Sequence, residues 1–265
     1  MPVECDIAFK PVSQDEFHAV DKIVMRHAFN IHNLVGRFCD EKIYQEELIR
    51  RCRDSFEVRR EVLLCVSHQD FSKAYYLDVL VNSGIIYELK TVETLHNSHQ
   101  KQLINYLLLA GVKHGKLLNF RRDKVESRFV STRLERKDRA VYRLIDNDWR
   151  GDDIASQQLR NILVNLLADW GVFLDANLYR DALLYFLGGS DSGTRPVDIT
   201  IDGRIAGTQV MCVLNNGVAW HVSAVRQHLE TYKTHITRLM NNTGLEKIHW
   251  INFNQRDVML RTIIK

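Results

Sequence analysis

Three charged side chains stand where the hydrophobic pattern calls for a core. In YLDVLVNSGIIYELKTVE, residues 76–93, two apolar runs flank a small polar turn, yet the runs carry Asp78, Glu88 and Lys90. Glu88 and Lys90 are two apart, so on a strand both point to one face while Leu89 points to the other. A hairpin turning at Asn82-Ser83-Gly84 brings Asp78 beside that pair. Two carboxylates and a lysine converging at one sheet position suit a hard cation such as magnesium, which takes oxygen ligands and keeps several waters. Such a metal polarises a phosphodiester and lowers the pKa of a bound water. The lysine can position or deprotonate that water and offset developing negative charge. The plain alternative is an ion-pair cluster on the solvent side of a hairpin, and for so short a motif taken alone that alternative is favoured.

Further residues share helical faces with each other. Gln102 and Tyr106 are four apart, on the helix expected after the second run; a helix surface with a half-buried tyrosine explains them equally well. Glu41 and Tyr44 are three apart on an early helix, where a glutamate in the first turn is favoured in any case. His32, just before a helix stop at Gly36, reads as a capping or packing histidine.

The elements that must hold these residues recur along the chain. At an offset of 133, GIIYELKTVE (84–93) falls on GVAWHVSAVR (217–226), and AGVKHGKLLNF (110–120) falls on TGLEKIHWINF (243–253). At an offset of 135, LVGRFCDEKIYQEEL (34–48) falls on DWGVFLDANLYRDAL (169–183), sharing Gly36/Gly171, Asp40/Asp175 and Tyr44/Tyr179. One long repeat in fixed order predicts two similar domains, 1–135 and 140–265, joined by the polar stretch STRLERKDRA. Each copy is expected to hold a helix up to its glycine (20–35; 157–170). A second helix (39–53; 175–187), strands, a helix (96–110; 226–242) and a final strand ending in Asn-Phe follow. FEVRREVLLCVS and KAYYLDVLV, separated by HQDF, read as a hairpin. The order αα-βββ-α-β is an α/β class with a mixed sheet.

Composition bounds the rest. Hydrophobic residues make up 45% of the 265 and charged residues 26%, which suits globular domains with real cores. A net charge of +3 is too small to imply nucleic acid by itself. Five scattered cysteines without a CxxC pair read as reduced thiols and give no disulfide framework or zinc ribbon. MPVECDIAFKP lacks the marks of a signal peptide. No apolar run is long enough to span a bilayer. A cytoplasmic protein without membrane contact is expected. Basic residues cluster between Arg121 and Arg139, and again at Arg50, Arg51, Arg53, Arg59 and Arg60. Either group could meet phosphates, though solvated mixed-charge faces explain them at least as well.

Taken together, IHNLVG, EKIY, YLDVLV, YELKTVE, HQKQLINYL and LLNF resemble the GxxExxY protein family, of the PD-(D/E)xK nuclease superfamily and near its RecB-like branch. The resemblance covers about residues 20–130. One position departs: Phe38 stands where the signature has its first glycine. With the repeat, the resemblance implies two tandem PD-(D/E)xK (restriction-endonuclease-like) domains, each a mixed central sheet flanked by helices. It implies Asp78 and Glu88 as metal-binding acids with the Leu89 carbonyl, Lys90 as the catalytic lysine, and Glu41 as an additional helix acid. It casts Gln102 and Tyr106 as supports of the site or contacts to the strand. The cofactor would be Mg2+, with Mn2+ as substitute. The partner would be nucleic acid, DNA before RNA, contacted in part by Arg121, Arg122 and Lys124; a homo-oligomer or a partner protein is left open.

In the second copy the offsets put Met211 at the place of Asp78, His221 at Glu88, Ser223 at Lys90, His235 at Gln102, Leu239 at Tyr106 and Ala176 at Glu41. The apolar skeleton stays and every expected ligand is gone. The expectation is therefore a metal-dependent nuclease with one active and one degenerate domain. The alternatives are a non-cleaving nucleic-acid-binding or assembly subunit, and a protein-interaction scaffold. A separate metal site from His221, His235 and Cys212 is a minor further alternative.

Overall fold

The computed structural model describes residues 3–265, which divide between Arg136 and Lys137 into two compact units. The first runs β1 (Val3–Glu4), α1 (Gln14–Val35), α2 (Glu41–Cys52), β2 (Val58–His68), β3 (Phe71–Val81), β4 (Ile85–Lys90), α3 (Asn97–Ala110), β5 (His114–Asn119) and β6 (Glu126–Ser131). Its sheet has the order β1-β2-β3-β4-β5-β6, with β4 and β5 parallel and the other pairs antiparallel. A parallel pair needs a crossover, and α3 supplies it. Alternation then divides the sheet's side chains. Val79, Val81, Ile85, Tyr87, Leu89 and Leu118 form one core with Phe17, Val24, Ile31, Tyr44 and Leu48 of α1 and α2. Ile86 and Glu88 take the other face, where α3 lies.

The turn between β3 and β4 works because Asn82 and Ser83 accept positive φ (50° and 55°). Gly84 follows, where any Cβ would stand 2.1 Å from the carbonyl oxygen of Lys10. The expected hairpin over HQDF is present, turning at Gln69 with φ 51°. α1 starts at Gln14, earlier than the pattern indicated, because Ser13 and Glu16 form a reciprocal cap.

The short α4 (Arg136–Arg139) leads into the second unit, which runs β7 (Arg143–Asp148), α5 (Ile154–Trp170), α6 (Ala176–Phe186), α7 (Gly189–Gly193), β8 (Thr194–Ile201), β9 (Arg204–Val213), β10 (Val218–Ser223), α8 (Leu229–Asn241), β11 (Lys247–Asn254) and β12 (Asp257–Ile264). Its sheet order is β7-β12-β11-β10-β9-β8. The pairing repeats that of the first unit at an offset of 133. Val79 opposite Tyr87 becomes Cys212 opposite Trp220. Ile85 opposite His114 becomes Val218 opposite Lys247. Asn119 opposite Glu126 becomes Asn252 opposite Met259.

Two further expectations need correction. Each unit carries a strand after the expected last one, β6 and β12, and these pair with the Asn-Phe strands. β6 was hidden because, as an edge strand, only part of it is buried and charged residues break its alternation. The joining stretch STRLERKDRA is structured: it starts on β6, forms α4 and buries Arg139, whose carbonyl accepts from Val172 N–H (2.9 Å). The helix expected at 226–242 is shorter, Leu229–Asn241, because the chain stays irregular until His228.

Residues shared by the two units make matching backbone contacts. Gly36 and Gly171 end their helices at φ 71° and 72°. Tyr44 Oη donates to the Gly36 carbonyl (2.7 Å) and Tyr179 Oη to the Gly171 carbonyl (2.6 Å). Their rings pack on Phe120 and Phe253, with centroids 4.4 Å apart in both cases. Asn119 and Asn252 each bridge to the segment beyond the neighbouring strand, donating to the Val92 and Val225 carbonyls and accepting from the N–H of the same residue.

Candidate active site

β3 and β4 pair only over Val79–Val81 and Ile85–Tyr87, so beyond Val79 and Tyr87 the hairpin forks. Asp78 and Glu88 stand at the mouth of that fork. A fork leaves backbone groups without ladder partners, and the side chains here supply them. Asp78 Oδ2 accepts from Leu89 N–H (2.8 Å). Gln45, a buried residue of α2, donates its Nε2 to the Asp78 carbonyl (2.9 Å). The N–H and C=O of one strand residue face the same neighbour, so the Leu89 carbonyl also looks into the fork. Lys90 conforms to this geometry, its carbonyl turned the other way to accept from Phe120 N–H (2.9 Å).

Glu88 is 1% exposed. Its Oε1 accepts from Lys90 Nζ at 2.7 Å, while Oε2 has no partner among the described residues. Burial, and then the nearby Asp78 charge, push its carboxyl up to about 8 against the pull of Lys90. Asp78 is raised by burial, countered by Lys90 and the Leu89 N–H. Glu41, at the first turn of α2, is raised by burial, with Lys90 lowering and Asp78 raising it, and a Thr91 backbone N–H also lowering it. Burial alone would lower Lys90, but Glu88, Asp78 and Glu41 outweigh it and the net shift is upward. Three carboxyls held up by burial, each also by an acidic neighbour, are short of positive charge, and one lysine does not satisfy them.

On α3, Gln102 Nε2 donates to Tyr106 Oη (2.9 Å). Tyr106 is 6% exposed and is raised by burial, with Glu88 and Asp78 adding to the effect. The fold thus gathers Glu41, Asp78, Glu88, Leu89, Lys90, Gln102 and Tyr106 around one fork. Solvent-side ion pairing does not describe Glu88 and Lys90, whose side chains are 2% and 13% exposed.

The acids alone are not a finished metal cage: among the described residues no three His, Cys, Asp or Glu side chains are gathered to hold an ion. The donors nevertheless fit magnesium, which is held by one or two carboxylates with waters completing its shell. The orphaned Glu88 Oε2, the inward Leu89 carbonyl and the raised acids are what such an ion would satisfy. Cys212, His221 and His235 form no such group either; His221 Nε2 is instead bonded to Tyr232 Oη at 2.6 Å.

His32 is a packing residue bonded through Nε2 to the Arg122 carbonyl (2.9 Å). Arg121 is half-buried, with Nε directed at the Thr91 carbonyl (3.4 Å). Arg122 is exposed and donates to the Glu93 carbonyl, and Lys124 is exposed. The other basic group is largely spent internally. Arg50 and Arg51 both pair with Glu47, Arg59 with Glu57 and Arg60 with Glu46. Arg50 and Arg51 hold the Glu47 carboxyl down to about 2.

Two participants were not singled out from sequence. Gln45 was visible in principle, four residues after Glu41 and so on the same helical face. Glu61 contributes charge beside Asp78 and sits at positive φ (47°), interrupting the β2–β3 ladder opposite Asp78; nothing in its sequence context announces this.

A family model, that of the PD-(D/E)XK nuclease superfamily, matches residues 18–131. The match runs from within α1 to the end of β6 and supports that superfamily, and with it a nuclease-type function, for the first unit. The mixed sheets and flanking helices fit a fold of that kind. No curated protein and no solved structure matches the chain. Among the described residues no helix is long and apolar enough to cross a membrane.

Proposed function

We propose that the chain is a metal-dependent nuclease built from two tandem PD-(D/E)xK-like domains, the first active and the second degenerate. The observation that carries this reading is the matched pair of forks. The second unit keeps the pairing register, the helix-ending glycine, the tyrosine on its carbonyl and the Asn clamp. Yet Met211, His221 and Ser223 stand where the first has Asp78, Glu88 and Lys90. Ser223 is absorbed into packing, accepting from Trp250 Nε1 and donating to Asn252. A fold that forms without the charges does not need them, and burying them costs stability. Their presence in the first unit is best explained by chemistry.

Asp78, Glu88 and the Leu89 carbonyl would hold magnesium, or manganese in its place, with Glu41 adding negative charge beside them and waters completing the shell. The bound ion supplies polarisation of the phosphodiester and a water of lowered pKa. Lys90 is protonated near neutral pH, so it acts as a fixed positive charge that orients the attacking water and offsets charge on the phosphoryl oxygens. Leu89 N–H and Gln45 hold Asp78 in place from two sides. With Gln102 bonded to its oxygen, Tyr106 keeps its own proton available to a phosphate oxygen. Arg121, Arg122 and Lys124 would add affinity that is independent of sequence. DNA is the proposed substrate, with RNA to be tested beside it.

The test is cleavage of single- and double-stranded DNA and RNA with magnesium or manganese. Asp78→Ala and Lys90→Ala should each abolish it while the circular dichroism spectrum is retained. Cleavage surviving in both variants would sink the assignment. Nucleic-acid binding without cleavage, in a wild type that binds no metal, would favour a non-cleaving binding subunit.

A further inference from the structure

The second unit has lost the charges at its fork but not the space. β9 and β10 part beyond Cys212 and Trp220, and a cavity of about 480 Å³ opens there, reaching from Arg180 on α6 to Tyr232 and Leu239 on α8. That volume falls in the range of small-molecule sites. No carboxylate lines it, and Arg180 is its one permanently charged residue. Arg180 Nε and Nη2 are held by Asp181 Oδ1 (3.1 and 2.9 Å), which fixes the guanidinium and leaves Nη1 outside that pair. One wall is aromatic: His221 and Tyr232 line it and stack on each other (5.9 Å, 22°), with the buried Trp250 behind Tyr232 (5.2 Å, 28°). Burial, reinforced by Arg180, lowers His221, so its imidazole is neutral. Trp220, also in the lining and 2% exposed, has an indole N–H with no partner among the described residues. The cavity therefore offers donors, a guanidinium shared with Asp181 and flat aromatic surface, and no carboxylate in its lining.

We propose that this cavity binds a nucleoside monophosphate, with the phosphate on Arg180 and the base against the His221–Tyr232 layer. Arginine suits phosphate through its planar fork of donors, and aromatic rings stack any base. The proposal goes beyond phosphodiester cleavage and does not depend on it.

Calorimetric titration of the full chain in EDTA with AMP, GMP, CMP and UMP tests it. One saturable site per chain is expected, weakened about tenfold or more for the matching nucleoside and in Arg180→Met. Leu239→Trp should fill the cavity and abolish binding; if that variant does not fold by circular dichroism, Met211→Phe replaces it. Asp78→Asn should bind as wild type, so loss of cleavage in that variant leaves this proposal standing. The proposal is overturned by no saturable binding of any of the four up to about 1 mM, by equal affinity for inorganic phosphate, by loss in Asp78→Asn, or by unchanged binding in the Arg180 and cavity-filling variants.

Discussion

Replacing Glu88 by glutamine should make the metal-free protein more stable at neutral pH. The Glu88 carboxyl is 1% exposed and titrates near 8 in the folded chain, against an ordinary 4.5. Because the folded value is the higher one, the stability tied to its proton is fully present below pH 4.5. It is lost as pH rises towards and through about 8. Each pH unit in that window is worth about 1.4 kcal/mol. At pH 7 the penalty relative to a neutral side chain is roughly 3 kcal/mol. The amide of Glu88→Gln carries no charge in either state, and its oxygen still accepts from Lys90. The expected gain is therefore about 1–3 kcal/mol at pH 7 in EDTA, shrinking to nothing towards pH 4.5. Urea unfolding at pH 4.5, 6, 7 and 8 measures it, with the two units monitored separately because they need not unfold together. Saturating magnesium should reverse the order, since a ligand at a thousand times its Kd adds about 4.1 kcal/mol to the wild type alone. A glutamine variant less stable than wild type at pH 7 without metal, or a difference independent of pH, would refute the reasoning.

Asn119→Ala and Asn252→Ala should each cost their own unit about 2–4 kcal/mol, because each strands a backbone N–H and a carbonyl; urea unfolding of the single variants checks this. Tyr179→Phe should cost about 1 kcal/mol, since it loses the bond to the Gly171 carbonyl while keeping its ring contact, and Tyr44→Phe about 1–2 kcal/mol, since it loses both the bond to the Gly36 carbonyl and the one accepted from Cys39 N–H. In binding titrations against salt, removing Arg122 and Lys124 together should lower the slope of log K on log [salt], whereas removing Arg50 and Arg59 should change it little, because their charges are already paired with Glu47 and Glu57.

The pattern of the sequence carried far where one physical rule dominated. Period-two alternation placed Leu89 in the core and Glu88 with Lys90 on the opposite face, and the turn at Asn82-Ser83-Gly84 set Asp78 across from Glu88. The glycine, tyrosine and Asn-Phe positions stood out by recurring, and their contacts explain the recurrence: each ties off backbone groups at a helix end or beyond a strand. What stayed hidden depends on contacts between distant segments. The fork itself cannot be read from β3 or β4, because it is the place where their ladder stops. Gln45 matters only because that fork leaves the Asp78 carbonyl in need of a donor. β6 was masked by charged residues on an edge strand, and the arginines of 50–60 looked available until their glutamate partners were in place.

The central claim is that the first fork takes a divalent cation and the second does not. Anomalous diffraction from crystals soaked in manganese measures this directly. The account predicts a peak bounded by Asp78, Glu88 and the Leu89 carbonyl, with none between Met211 and His221. No peak at the first fork, or peaks of equal height at both, would contradict it.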